Sequence, residues 1–260
     1  MAKFTEIEEQ LLKSVKDTRL QSGLALIRQA VEDIWRPEVR IIQAYTDHGI
    51  EHSERLAEFA AKLLKANDGQ ELSSKEMYLL LAGIYLHDIG MQCDVLRFPE
   101  IKKKAEDLGA VFDIEFTANT ANEYSIEEQQ EIRKNHLYLA AAWIDYAYST
   151  KEHDKETVLG PAIKKVPEDM VDDLMDVCKH HSTLPISSCS SSFQFRPNKR
   201  KRLIAALLRF SDELDIDAKR VSIETVKNFS FDPRNSVYWW LHNKTHIDFK
   251  TRNVILLSIR

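Results

Sequence analysis

Cysteine is scarce in this chain, and the little there is has no pattern. Cys93, Cys178 and Cys189 are odd in number and lack a C-x-x-C spacing, which argues against a disulfide framework and against a structural zinc site built on clustered thiolates. The expected setting is a reducing one, the cytoplasm. Glycine and proline are also few, seven of each, which suits long helices. Long apolar runs are missing: the longest, Tyr78 to Leu86, is far too short to span a bilayer, so no membrane association is expected. The first residues, M-A-K-F-T-E-I-E-E-Q, are amphipathic and acidic and do not form a signal peptide. Nor is there an excess of positive charge. A formal net charge of -5 offers no general attraction to nucleic acid or anionic membrane, so any phosphate binding must be local. What is present is a globular mixture, 43% hydrophobic and 30% charged over 260 residues, enough for one large domain or two small ones with a substantial core.

The rest of the chain is organised around Met77 to Met91, M-Y-L-L-L-A-G-I-Y-L-H-D-I-G-M. Met77, Leu80, Leu81 and Ile84 recur at the spacing of one helical face, and the same spacing then lands on His87 and Asp88. A buried carboxylate without a partner is costly, and a divalent cation is the partner that suits a neighbouring imidazole as well. The alternative is a plain helix end, with Gly90 as stop signal and His87 bonded to the last carbonyls.

Other segments repeat the pattern. Phe4, Ile7, Leu11 and Val15, then Leu24, Ile27, Val31 and Ile34, predict two helices or one broken at Gly23. His48 and His52 lie four apart in T-D-H-G-I-E-H-S-E-R-L, ahead of an amphipathic helix that stops near Asn67-Asp68-Gly69. Ser73 or Ser74 is placed to cap the helix that ends in His87-Asp88. Pro99 starts a short basic helix whose Lys102, Lys103 and Lys104 read as a solvated face. Ser125 and Glu128 form a capping box opening one long helix with the stripe Ile132, His136, Leu139, Ala140, Trp143 and Ala147. A helix with Pro167 as its first residue carries Met170, Val171, Leu174, Val177, Cys178 and His181, with His180 on the shoulder. The serine-rich tract that follows is expected to be a loop beside the site. Residues 198 to 216 predict a helix in which Ile204, Leu208 and Asp212 align beside Leu207, Ser211 and Asp215. Its basic opening, N-K-R-K-R, either is balanced by nearby carboxylates or grips a phosphorylated ligand. Val237 to Trp240, His246 to Phe249 and Val254 to Ile259 read as short strands.

Four helices therefore each deliver His or Asp at a position whose stripe predicts burial, and a fifth brings His52. Such ligands suit manganese, iron, cobalt, nickel or zinc. In this order (H-S-E-R-L with His52, L-H-D-I-G with His87-Asp88, N-H-L-Y-L with His136, K-H-H-S with His180-His181, R-F-S-D-E-L-D with Asp212) the chain resembles the HD-domain superfamily of metal-dependent phosphohydrolases from about Tyr45 to Asp217. The resemblance implies a mostly α fold, an HD-domain helical bundle with a small C-terminal β element. It divides the chain into an N-terminal helical brace over residues 1-44, the HD domain over 45-221, and a β-rich extension packed on it over 222-260.

By the resemblance, one or two divalent transition metals are bound per chain. His52, His87, Asp88 and Asp212 would hold the first, and Asp88 would bridge to a second held by His136, His180 and His181, with His48 as an additional ligand. Catalysis would rest on Asp88 and His87, a metal-activated hydroxide attacking phosphorus in a nucleotide or oligonucleotide. Arg196, Lys199, Arg200 and Arg202 are the candidates to hold substrate phosphate. Asp215 either orients a metal ligand or pairs with a neighbouring arginine, the second being favoured. Met91 stands where many relatives have Lys, and no G-Y-P follows His180-His181, which argues against a cyclic-di-GMP phosphodiesterase of that kind. The motifs of alarmone hydrolases, deoxynucleotide triphosphohydrolases and helicases are missing. Two alternatives stay open. One is a metal-dependent nuclease, the effector portion of a longer protein with a further domain beyond residue 260. The other is a nucleotide-binding sensor that does not cleave.

Overall fold

The computed structural model describes residues 3–36, 41–42, 48–66, 71–120, 123–150, 158–189, 200–216, 244–251 and 254–259. The chain is mostly helical, with a small two-stranded sheet near its C-terminal end. Among the described residues the α-helices are α1 (Glu6–Leu12), α2 (Thr18–Ile34), α3 (Ile50–Ala66), α4 (Ser74–Leu86), α5 (Pro99–Asp107), α6 (Ile126–Lys134), α7 (His136–Ser149), α8 (Gly160–Ile163), α9 (Glu168–Lys179) and α10 (Lys201–Leu214). No helix among the described residues is long and apolar enough to cross a membrane. Cys93, Cys178 and Cys189 are free and buried.

Helix α4 is the axis. Every side chain from Glu76 to Leu86 is buried, so the apolar stripe of the sequence widens into a helix covered on all sides by α2, α3, α9 and α10. A Cβ on Gly83 would lie 2.9 Å from Val177 Cγ1 and 3.3 Å from Leu208 Cδ2, so glycine there lets α9 and α10 approach closely. Ser53 on α3 donates its hydroxyl to the Ile84 carbonyl, tying α3 to the same axis. Ser73 is the cap of α4: its hydroxyl accepts from the Glu76 N–H while the Glu76 carboxylate accepts from the Ser73 N–H.

Three expectations about helix boundaries change. Gly23 lies inside α2, and the break falls earlier, where Asp17 caps α2 by accepting from Arg19 N–H. The long helix after Ser125 is two helices. Asn135 interrupts it by donating its side-chain N–H to the Val111 and Glu131 carbonyls and accepting from the Val111 N–H, which anchors the preceding loop. Pro167 is the N-cap of α9 rather than its first helical residue.

Arg200, Lys201 and Arg202, the described cations at the opening of α10, are engaged within the protein. Arg200 donates Nε–H and its backbone N–H to Glu76, Lys201 pairs with Asp173 and Asp176, and Arg202 donates to the Ser187 and Cys189 carbonyls. Burial alone would push the Glu76 pKa up, but Arg200 and the Ser73 and Arg200 backbone N–H groups overcome it and hold it at about 2, against an ordinary 4.5. A depressed carboxylate pKa contributes stability that is present above about 4.5 and lost as pH falls toward 2. Glu76→Gln is expected to cost on the order of 2 kcal/mol at pH 7 and to flatten the acid limb, read as urea midpoints at pH 7 and pH 3.

Strands β1 (Thr245–Thr251) and β2 (Val254–Ile259) pair antiparallel, with Thr245 opposite Ile259 and an irregularity between Phe249 and Thr251. Ile247, Phe249 and Ile255 pack with Phe59 and Leu63 of α3 and with Leu214 and Ile216, and Lys62 lies 5.3 Å from the Phe59 and Phe249 ring centres. The strand expected at Val237 to Trp240 lies outside the described residues.

Candidate metal centre

The site forms where helix ends meet. His52 is in the first turn of α3, and His48 lies just before that helix. His87 is the C-cap of α4, and Asp88 follows as the chain tightens into a 3-10 turn, Ile89–Gln92. His136 opens α7, His180 and His181 follow α9, and Asp212 and Asp215 end α10. Apart from partly exposed His48 and Asp212, these residues are buried. Each apolar stripe carries its terminal polar residue into the core because the spacing of a helix does not stop at a change of residue type.

The ring nitrogens are sorted by their outer partners. His87 donates Nδ1–H to the Ile84 carbonyl at 2.9 Å, His136 to the Arg133 carbonyl at 2.6 Å, and His181 to the Cys178 carbonyl at 2.5 Å. A carbonyl only accepts, so Nδ1 carries a proton in each ring, and Nε2 is the nitrogen that offers a lone pair whenever the imidazole is neutral. His52 is oriented by a carboxylate instead, donating Nδ1–H to Asp215 Oδ2 at 2.6 Å. The Nε2 atoms then face one another, 3.3 Å apart for His52 and His87 and 3.0 Å for His136 and His181. Two rings at these separations share a proton or a metal ion between their Nε2 atoms. The donor set therefore fits a divalent ion, with His48, His52 and Asp88, then His52, His87 and Asp212, and then His87, Asp88 and His181 each within 4.8 Å of one another.

Asp88 lies between these groups. Its Oδ2 is 2.9 Å from His48 Nδ1, 3.1 Å from His87 Nε2 and 3.6 Å from His52 Nε2, and its Oδ1 is 3.4 Å from His136 Nε2 and 3.5 Å from His181 Nε2. Asp212 Oδ1 stands 3.3 Å from His52 Nε2. Burial would raise both carboxyl pKa values, but His87, His181 and His48 hold Asp88 well below the ordinary range, and His52 and His87 do the same for Asp212. His87 rises to about 9: burial disfavours its charge, and the adjoining Asp88 carboxylate overcomes that. His136 goes the other way, to about 4, because burial and His181 both oppose its charge.

His180 stands apart. Its Nδ1–H goes to the Asp176 carbonyl at 2.8 Å and its Nε2 lies 3.2 Å from the Ser188 hydroxyl, because consecutive residues leaving a helix point in different directions. Burial lowers its pKa. Of the cations expected to hold phosphate, Arg200 is engaged with Glu76 and Arg202 with backbone carbonyls, while Arg196 and Lys199 lie outside the described residues.

Asp215 pairs with an arginine, as favoured, its Oδ1 accepting from Arg55 Nε at 2.9 Å, and its Oδ2 also orients His52. Its position three residues after Asp212, on the same helical face, is the sequence signal for this role. Asp215→Asn is expected to weaken metal binding about 10- to 100-fold with the fold retained, measured by chelator competition beside a thermal melt.

Gly90 is the remaining part of the geometry. Its φ is not positive, so it is no left-handed helix stop; a Cβ there would meet the His136 carbonyl oxygen at 2.0 Å. Its bareness is what lets the turn carrying Asp88 lie against the start of α7.

A helical bundle whose helix ends converge on a buried His/Asp cluster of this order is an HD-type domain. The family model described as HD-CE matches residues 42–257, and the chain belongs to that family. No curated protein and no solved structure matches the chain.

Proposed function

We propose that this protein is a metal-dependent hydrolase of phosphoester bonds in a nucleotide or oligonucleotide, working with two cations. The observation that carries the reading is the division of Asp88 between two groups, Oδ2 toward His87 and His52 and Oδ1 toward His136 and His181. A carboxylate so placed suits a bridge. Bound cations would supply Lewis acidity toward phosphate oxygens and an acidified water for in-line attack on phosphorus. The chain supplies the rest. His52, His87 and Asp212 would hold a cation on one side of Asp88, and His136 and His181 would hold one on the other. The Nδ1–H bonds fix each ring, so little reorganisation is needed at the moment of reaction. His180 joins the second group only by leaving Ser188.

The test begins with metal content per chain by mass spectrometry, on protein purified without chelators and after loading with manganese, iron, cobalt, nickel or zinc. Turnover of a chromogenic phosphodiester, mononucleotides, cyclic nucleotides and single-stranded DNA and RNA follows. About two metals per chain with phosphodiester turnover is the expected result. Turnover of nucleic acid alone would favour the nuclease reading, and one metal would favour a mononuclear site. No metal under any loading would overturn the proposal.

A further inference from the structure

Behind the metal centre lies a second polar cluster, distinct from it, whose core of Glu8, Arg28 and Tyr85 is buried. Glu8 of α1, 1% exposed, accepts at Oε1 from both Arg28 Nε at 3.0 Å and the Tyr85 hydroxyl at 2.8 Å. Its Oε2 accepts from the Thr5 N–H at 2.6 Å, so both oxygens are satisfied. Arg28 of α2, 3% exposed, also pairs with Glu54 of α3 and lies 3.8 Å from Glu32, and its guanidinium sits over the Phe4 ring. Burial and Glu8 push the Tyr85 hydroxyl well above its ordinary pKa, so it is a neutral donor.

The placement is what matters. Tyr85 stands two residues before His87 on α4, and Glu54 two residues after His52 on α3. Residues two apart on a helix point to nearly opposite sides, so this cluster grips the backs of the two helices whose fronts carry His52 and His87. Their Nε2 atoms are 3.3 Å apart, a separation set by how α3 and α4 sit on each other. One carboxylate, on a helix outside both, joins α3 through Arg28 and α4 through Tyr85.

We infer that Glu8 is a positioning residue of the metal centre, acting through Tyr85 and Arg28 to set the spacing of the α3 and α4 ligands. A buried ion pair is poor value as a plain staple, since desolvation offsets most of its attraction, whereas its directional bonds specify a geometry. The inference rests on the reading of the His/Asp cluster as a metal site, and its test separates the two.

Tyr85→Phe removes only the hydroxyl and leaves the Glu8–Arg28 pair intact; Glu8→Gln is the second variant. Leu11→Ala, in the same helix and without a part in the cluster, is the control for general destabilisation. The first readout is the imidazole nitrogen spectrum of metal-free protein, and the second is Mn²⁺ affinity. Tyr85→Phe and Glu8→Gln are expected to shift the His52 and His87 ring signals while those of His136 and His181 stay, and to weaken Mn²⁺ binding about tenfold. Leu11→Ala should lower the melting temperature without either change. Unmoved His52 and His87 signals in both variants, or equal shifts in Leu11→Ala, would overturn the inference. A parent chain that takes up no Mn²⁺ would defeat the metal reading, and the ring signals would still decide the role of Glu8.

Discussion

Asp88→Asn is expected to abolish metal retention and to lower phosphodiester turnover about a thousandfold or more, the several kcal/mol that bound cations contribute to such a transition state. The substitution keeps size and shape but removes the charge shared by both histidine groups. An amide also offers N–H donors toward lone pairs that need a cation. The same variant has a signature in metal-free protein. His87 owes its raised pKa of about 9 to Asp88, overcoming burial. A raised histidine pKa contributes stability that is full below about 6.5 and lost as pH rises through 9. Metal-free parent should therefore lose stability across that interval, and Asp88→Asn should show a flatter profile, both read as denaturant midpoints. Metal retained at parental stoichiometry in Asp88→Asn would remove Asp88 from the centre.

Gly90→Ala is the other large effect, and it acts on the fold itself. The added methyl carbon would lie 2.0 Å from the His136 carbonyl oxygen, 2.7 Å from Ala140 N and 2.8 Å from the His136 carbonyl carbon. All are backbone atoms of the first turn of α7, so no side-chain rotation relieves the clash. The cost is expected to be on the order of 4 kcal/mol, lowering the melting temperature by about 10 °C, with metal affinity falling as His136 is pushed from Asp88. Gly23→Ala is the internal contrast. Its Cβ would meet Lys165 Cβ at 3.6 Å, ordinary contact inside a helix, so alanine should be neutral or stabilising by up to about 1 kcal/mol. Equal melting temperatures for the two variants would refute this account of Gly90.

Much of the scaffold was legible because it is local. The capping box of Ser125 with Glu128 spans three residues, and the cap of α4 is narrowed to Ser73 or Ser74, because side chains that short can reach little else. Each stripe that leads into His87, His136, His181 or Asp212 is a periodicity within one helix. Where the reading went astray, a partner from elsewhere in the chain decided the matter. Asn135 breaks its helix because its amide serves the backbone of Val111. Gly23 stays helical because Asp17 supplies the cap before it. The balance expected for the cations opening α10 is found for Arg200 and Lys201, which meet carboxylates of α4 and α9, though which carboxylates these are only docking decides.

The sequence by itself determined a mostly helical chain with imidazoles and carboxylates at the ends of buried stripes, since burial periodicity is written along each helix separately. Only the tertiary structure decided that His180 turns to Ser188 and away from the cluster, which nitrogen of each ring faces inward, and that Asp215 orients His52. It also decided that Gly90 serves close approach rather than a helix stop. These outcomes depend on ångström-scale distances between residues far apart in the chain, and those distances exist only once the helices have docked.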